Sequence, residues 1–296
     1  MQSEYKVSII TINYNGLKDT CSLIDSIPHS SEIEVIVVDN ASQTDEASII
    51  ETRYPHVTVV RSKENLGFAG GNNLGIRASK GDYLFFINND TEFRGEWHIE
   101  SLIHRLESNR KIGMVCPKIR FTWNDFPIQF AGYTPLSRIT MRNRSIGFGE
   151  ADHGQYEKAH PTPYAHGAAM MTRRKTVEEV GLMPECYFLY YEELDWSMMF
   201  TRAGYEIWYD PSATIYHKES QTTGQASPLR TYFITRNRLL FAHRNIHRPM
   251  RFLTYGYLIL CVSVRDLFRY AIQQRPDLIK ATLKGIYDFL RKSFAN

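Results

Sequence analysis

The sequence lacks the marks of several protein classes. Its four cysteines, Cys21, Cys116, Cys186 and Cys261, are scattered and form no CxxC pair. That excludes a dense disulfide framework or a thiolate zinc site and points to reduced thiols in a cytoplasm. The opening residues are polar and run straight into an apolar segment, so no secretory leader is expected. The greasiest stretch, Phe252 to Val264, has 13 residues, against about 20 for a helix that spans a bilayer. Neither GxGxxG nor GxxxxGK[ST] occurs, which argues against a dinucleotide fingerprint and a P-loop. Internal repeats and low-complexity tracts are missing too.

What is present suits a globular protein of one large domain with an appendage. The 296 residues are enough to bury a full core. With 18 Tyr and 16 Phe, the chain is well supplied with rings for stacking pockets. The net charge of +3 conceals a split. From Arg230 onward there are 13 Lys and Arg against 3 Asp, a net of +10, so the residues before it carry −7. Such asymmetry points to an anionic surface met by the C-terminal part, either nucleic acid or lipid. The last segment places Ile279, Leu283, Ile286, Leu290 and Phe294 on one side of a helix and Lys280, Lys284 and Arg291 on another. Cations interleaved with large apolar residues favour a membrane surface over nucleic acid.

The first part alternates strand and helix. Apolar, β-branched runs occur at Val7 to Ile12, Val35 to Val38, Val57 to Val60, Tyr83 to Ile87 and Gly113 to Cys116. Helical stretches lie between them, at Leu17 to Ile27, Asp45 to Arg53, Gly71 to Ser79 and Trp97 to Glu107. That alternation predicts an α/β fold with a mostly parallel, Rossmann-like sheet flanked by helices. Ser42 and Asp45 fit a capping box for the second helix. From Arg120 to Pro163 no period holds, as expected of loops and short strands. A strand is expected at Ala165 to Thr172, with two short ones at Glu206 to Tyr209 and Thr214 to His217. The chain beyond Ser227 reads as helical.

Polar residues end three of the strands: Asn13-Tyr14-Asn15-Gly16, Asp39-Asn40 and Asn88-Asn89-Asp90. In an open α/β sheet, ligands sit beyond the carboxyl ends of the strands, so three such endings suggest one rim built for a polar ligand. The Gly- and Asn-rich segment Asn65 to Gly75 could bring backbone amides to a phosphate at a helix start. Asp90, after a buried run, suits a hard divalent cation, Mg or Mn, shared with a diphosphate. Glu192, Glu193 and Asp195 crowd among Tyr and Trp. They either compensate a helix dipole or supply a carboxylate that holds its proton tightly enough to act as a general base. Glu192 and Asp195 share a helical side more nearly than Glu193 does. His217 closes a short strand, and a lone histidine there is more often structural than a ligand.

Taken in order, these segments resemble the inverting family 2 glycosyltransferases of the GT-A fold, over roughly Val7 to Phe241. The segments are VSIITINYNG, EVIVVDNAS, NLGFAGGNNLGIRASKGDYLFFINND, AHGAAMMTRR, LYYEELDW, IYHKES and YFITRNRLLF, the last similar to the rhamnosyltransferase-like branch. The resemblance implies a catalytic domain over residues 1–226, with a nucleotide-binding half to about 118 and an acceptor half from 119, and a helical basic extension over 227–296. It implies a single displacement with inversion. Asp90 and His217 would hold a divalent metal at the leaving diphosphate. Glu193 matches the base, while Asp39, Asn13 and Asn15 would hold the nucleoside. Asn65 and Asn73 would lie near the ribose or diphosphate. Two positions depart from the family pattern: Asn88 replaces the first carboxylate of an Asp-x-Asp motif, and Glu193 stands where Asp is usual. The implied donor is a dTDP or UDP sugar, rhamnose foremost, and the implied acceptor a glycan or lipid-linked hydroxyl in surface polysaccharide synthesis. The implied place is the inner face of the plasma membrane, held by the C-terminal helices, with no nucleic acid partner. A sugar nucleotidyltransferase and a non-catalytic nucleotide-sugar-binding protein are the alternatives.

Overall fold

The computed structural model describes residues 6–95, 97–219 and 227–294. It resolves into two compact units. The first comprises Met1–Thr134, Arg144–Cys186 and Glu192–Glu219, and the second Pro135–Asn143, Tyr187–Tyr191 and Ser220–Asn296. The sequence-based boundary between 226 and 227 lies outside the described residues. Two short segments that the sequence reading gave to the acceptor half, 135–143 and 187–191, group with the second unit.

The first unit is built on one sheet. Strands β1 (Val7–Asn13), β2 (Ile33–Asp39), β3 (Thr58–Arg61) and β4 (Tyr83–Ile87) are parallel neighbours in the order β3-β2-β1-β4. Helices α1 (Leu17–Ser26), α2 (Glu46–Arg53) and α3 (Gly67–Ala78) connect them. β1 and β2 are buried almost throughout, as continuous apolar strands covered on both faces must be. The sheet continues through β9 (Ala169–Arg173), β6 (Ile112–Phe121), β10 (Glu206–His217) and β5 (Thr91–Glu92). β9 runs antiparallel to both of its neighbours, β4 and β6, so the sheet is mixed at its centre. Short strands β7 (Ile128–Phe130) and β8 (His160–Pro161) pair with β6 and β10, and α4 (Ile99–Ser108), α5 (Arg174–Val180) and α6 (Glu192–Arg202) complete the unit.

Several elements differ from the sequence reading for identifiable reasons. β6 extends to Phe121, well past Cys116. The expected strand at Ala165 to Thr172 begins only at Ala169, because a turn at 167–168 precedes it, closed by Ala169 N donating to His166 O at 3.2 Å. The two strands expected around 206–217 are one, with a register shift between Asp210 and Thr214. Pro211 lies in that shift, where a residue without an N–H is tolerated. Asp45 caps α2 alone, accepting from Ser48 N at 3.1 Å. The hydroxyl of Ser42 turns instead to Asp39 Oδ1, at 2.6 Å.

The glycines of the 65–75 segment also differ. α3 begins at Gly67, so Gly70, Gly71 and Gly75 are inside a helix. A Cβ on Gly71 would stand 2.8 Å from Ile12 Cδ1, and one on Gly75 2.3 Å from Ile10 Cγ2. These glycines let α3 lie close on β1.

The second unit is helical. α7 (Pro228–Asn245) starts with Pro228 in its first turn and with Ser227 accepting from Arg230 N at 3.2 Å. α8 (Met250–Gly256), a π-helical stretch (Tyr257–Ser263) and α9 (Val264–Ile272) follow as one helical run, then α10 (Pro276–Phe294). α10 packs on α7 through Leu278, Ala281, Thr282, Gly285 and Phe289, which are buried. The apolar side expected from sequence is displaced by one position: Leu283 and Leu290 are exposed, and Ile279 and Ile286 half-buried. The side chain of Phe294 lies outside the described residues. The cause is Gly285, where a Cβ would meet Tyr232 O at 2.9 Å. Small residues set the seam, and the large ones flank it.

Asn237 on α7 donates from Nδ2 toward the carbonyls of Tyr187, Leu189 and Tyr190, at 3.1, 2.7 and 2.8 Å. That segment holds three non-glycine residues at positive φ: Phe188 (69°), Tyr190 (68°) and Tyr191 (79°). Such backbone persists only where its surroundings fix it, and a fully buried amide does so here. Among the described residues, no helix is long and apolar enough to cross a membrane.

Candidate active site

The site lies at the carboxyl ends of the parallel strands. Asn13 and Asp39 are the last residues of β1 and β2 and are register partners. Asn13 Nδ2 faces Asp39 Oδ1 at 2.9 Å, Glu46 Oε2 at 2.8 Å and Ser42 Oγ at 3.2 Å. An amide nitrogen has two hydrogens, so the two carboxylates, which are closest, are its main acceptors. Asn13 Oδ1 accepts from Thr20 Oγ1 at 2.7 Å, and Thr20 accepts from Asn89 Nδ2 at 3.0 Å. One chain of hydrogen bonds therefore joins the ends of β4, β1 and β2. Asn13 is fully buried and its side chain is spent inside this network, so it positions the rim's carboxylates.

The other expected nucleotide residues are placed as follows. Asn15, at φ 52°, accepts from Gln43 N through Oδ1 at 2.7 Å and so pins the loop after β1 to the loop after β2. Asn65 Oδ1 accepts from Gly67 N and Asn40 Nδ2, at 2.9 and 3.0 Å, which shapes the turn into α3. Asn73 is on α3. It is 1% exposed, donates to Met183 O and Glu185 Oε1 and accepts from Met183 N. An amide enclosed in this way fastens α3 to the 183–185 segment.

Asp90 and His217 are brought together by strand pairing. His217 ends β10 opposite Thr91 of β5, and Lys218 N donates to Asp90 O at 2.9 Å. His217 Nε2 lies 3.1 Å from Asp90 Oδ1, and both side chains are buried. Its other nitrogen, Nδ1, lies 2.8 Å from Oε1 of the buried Gln129. An amide oxygen only accepts, so Nδ1 carries the proton in this pair. Nε2 is thereby turned toward the Asp90 carboxylate. Asn88 Nδ2 stands 3.4 Å from the same nitrogen. Among the described residues, no group of three His, Cys, Asp or Glu side chains is arranged to hold a metal ion.

The acidic motif opens α6. Glu192 and Asp195 are buried, at 3% and 0% exposure, whereas Glu193 is half-buried. Glu193 borders Gly167, where a Cβ would lie 3.7 Å from Glu193 Cγ. The same turn holds the Asn88–Asp90 segment, because Ala168 O accepts from Asn88 N at 3.0 Å. Both motifs thus adjoin residues 165–168, with rings between them. Tyr133 stacks on His166 at 5.9 Å, and the His166 ring is 6.5 Å from that of His217. Burial, with the Glu193 carboxylate adding to it, pushes the Tyr133 hydroxyl far up. Burial first, and then the neighbouring His217, hold His166 down to about 3. Its Nδ1 accepts from Ala168 N at 3.1 Å.

Sequence reasoning missed Glu46, Thr20, Gln129, Tyr133 and His166. Glu46 carried one usable signal, an acid seven residues after Asp39, but a first-turn acid is ordinarily dipole compensation. Gln129 and Tyr133 lie in the stretch without period, where nothing local marks them.

The sequence profile described as Glycosyl transferase family 2 matches residues 8–181. The chain is 27% identical over 290 residues to the low-salt glycan biosynthesis hexosyltransferase Agl10 of Haloferax volcanii, covering 95% of this chain and 91% of that protein. It is 24% identical over 221 residues to the N-acetylglucosaminyl-diphospho-decaprenol L-rhamnosyltransferase of Mycobacterium tuberculosis, covering 68% and 71%. Its fold is similar to that of the mannosyltransferase PcManGT from Pyrobaculum calidifontis, solved with GDP-Man and Mn2+. The TM-score is 0.60 at 17% identity, with 97% of this chain and 90% of that one covered.

Proposed function

The chain belongs to glycosyl transferase family 2, and on that premise we propose that it is a metal-dependent, inverting enzyme that moves a sugar from a nucleoside diphosphate to a glycan or lipid-linked hydroxyl. Membership sets aside the sugar nucleotidyltransferase and the non-catalytic binding protein. The observation that carries the finer reading is the pairing of Asp90 with His217, 127 residues apart and 3.1 Å from one another.

The donor set fits a cation. Two ligand atoms each about 2.1 Å from one octahedral ion, at right angles, are about 3 Å apart. One carboxylate and one imidazole leave positions for diphosphate oxygens, as Mg or Mn sites commonly do. Bound there, the cation would neutralise the leaving diphosphate. Asp39, held by Asn13 and Ser42, would receive the nucleoside. Glu193 is the base this reading prefers, since an acceptor can reach a half-buried carboxylate and cannot reach Asp195. Glu192 and Asp195 would then support the start of α6. Glu193 takes the proton of the acceptor hydroxyl as its oxygen attacks the anomeric carbon from the face opposite the diphosphate, which gives inversion.

The rhamnosyltransferase among the relatives supports a dTDP sugar as first choice, with a UDP sugar next, and a lipid-linked acceptor in surface polysaccharide synthesis. The basic C-terminal helices support attachment at the cytoplasmic face of an anionic membrane. A thermal-shift screen of dTDP, UDP and GDP sugars, each with and without Mn2+, tests the reading. Stabilisation by one nucleotide class only when Mn2+ is present is expected. Equal shifts without the metal would remove metal dependence from the proposal.

A further inference from the structure

The run of α8, the π-helical stretch and α9 is apolar on two sides: Tyr255, Leu258, Val262 and Tyr270 are buried on the inner one. Its polar Thr254 and Ser263 are buried, at 0% and 6% exposure, and their hydroxyls return to backbone carbonyls. A second set of large apolar residues faces outward: Leu253 60%, Leu260 69%, Val264 54%, Phe268 69% and Ile272 68% exposed. Their spacing places them on one side over a length on the order of 30 Å. A helix at the surface of a globular protein normally turns its apolar stripe inward, and a contiguous exposed stripe of this size marks an interaction surface.

Charge decides the occupant. Arg265 and Arg269 follow Val264 and Phe268 directly, with side chains about half exposed, and they share one acid, Asp266, so the group keeps a net positive charge. The whole segment from Arg230 carries a net of +10. A second copy of this chain would bring the same charge to the same face, whereas anionic lipid headgroups complement it. We propose that the stripe from Leu253 to Ile272 lies in the headgroup boundary of an anionic phospholipid bilayer, with Arg265 and Arg269 at the phosphates. This rests on the membrane reading above and specifies the face that enters.

The test is co-sedimentation of the full-length protein with vesicles of equal parts phosphatidylcholine and phosphatidylglycerol, beside the double variant Leu260→Glu, Phe268→Glu. Both positions are exposed, so an unchanged melting temperature is expected and serves as the folding control. The intact protein should pellet, and the variant should bind at least about tenfold more weakly. If the intact protein binds and the variant binds equally, the face is wrong while the membrane reading stands. If the intact protein does not bind, both fall. A dimer of the intact protein by light scattering that the double variant splits would assign the stripe to self-association and overturn the proposal.

Discussion

His217 Nδ1 lies 2.8 Å from Oε1 of Gln129, a residue 88 positions earlier on a three-residue strand. This contact fixes which ring nitrogen is available toward Asp90. Removing the partner of a metal-binding histidine typically costs about 10–100-fold in metal affinity. Gln129→Leu should therefore weaken Mn2+ binding by that order, read by electron paramagnetic resonance titration in the presence of nucleoside diphosphate. Gln129→Glu, which keeps an accepting oxygen, should bind nearly as the parent does. Equal loss in both variants would mean that Gln129 only fills space.

Glu193 and Asp195 should respond differently to neutralisation. Glu193→Gln should lower kcat by about a hundred- to ten-thousand-fold, as loss of a general base does, with donor affinity and melting temperature close to the parent. Asp195→Asn, at a fully buried position, should instead lower the melting temperature. A Glu193→Gln protein that turns over normally would move the base elsewhere.

Asn13 and Asn73 separate site from scaffold. Each amide makes several buried hydrogen bonds, so alanine at either should cost about 1–3 kcal/mol of stability. Only Asn13→Ala should also weaken nucleotide binding, because it releases Asp39 and Glu46 at the rim. Asn73→Ala should bind nucleotide as the parent does, measured by calorimetry below both melting temperatures.

Ala41 sits between Asp39 and Ser42 at φ 66°, in the left-handed region that disfavours a Cβ. Ala41→Gly should raise stability by about 0.5–1 kcal/mol, the relief of strain less the extra freedom of glycine in the unfolded chain. Chemical denaturation checks this, and Ala41→Val should shift the midpoint the other way.

The parallel half of the fold was legible because its strands are buried on both faces. β1, β2 and β4 appear as largely apolar, buried runs whose polar ends mark a rim. The antiparallel β9 could not be read so, because nothing local to Ala169–Arg173 encodes the direction of its neighbours. The glycines of α3 are ambiguous for a different reason: a residue without a side chain serves a close helix–strand approach as readily as a phosphate. Asn73 is ambiguous likewise, since an amide reads the same whether it faces a ligand or a buried loop. Across 120–163 the residues are held by contacts distant in sequence, such as Lys118 with Asp152, and no periodicity survives.

The three carbonyls held by Asn237 bear on how this enzyme can be dissected. They belong to the residues that immediately precede Glu192 in the chain, so a truncation that discards α7 also releases the backbone leading into the acidic motif. A tail-less version would lose activity whether or not lipid matters, and its silence would say nothing about attachment. Point changes on the outer side of the intact tail are the cleaner instrument.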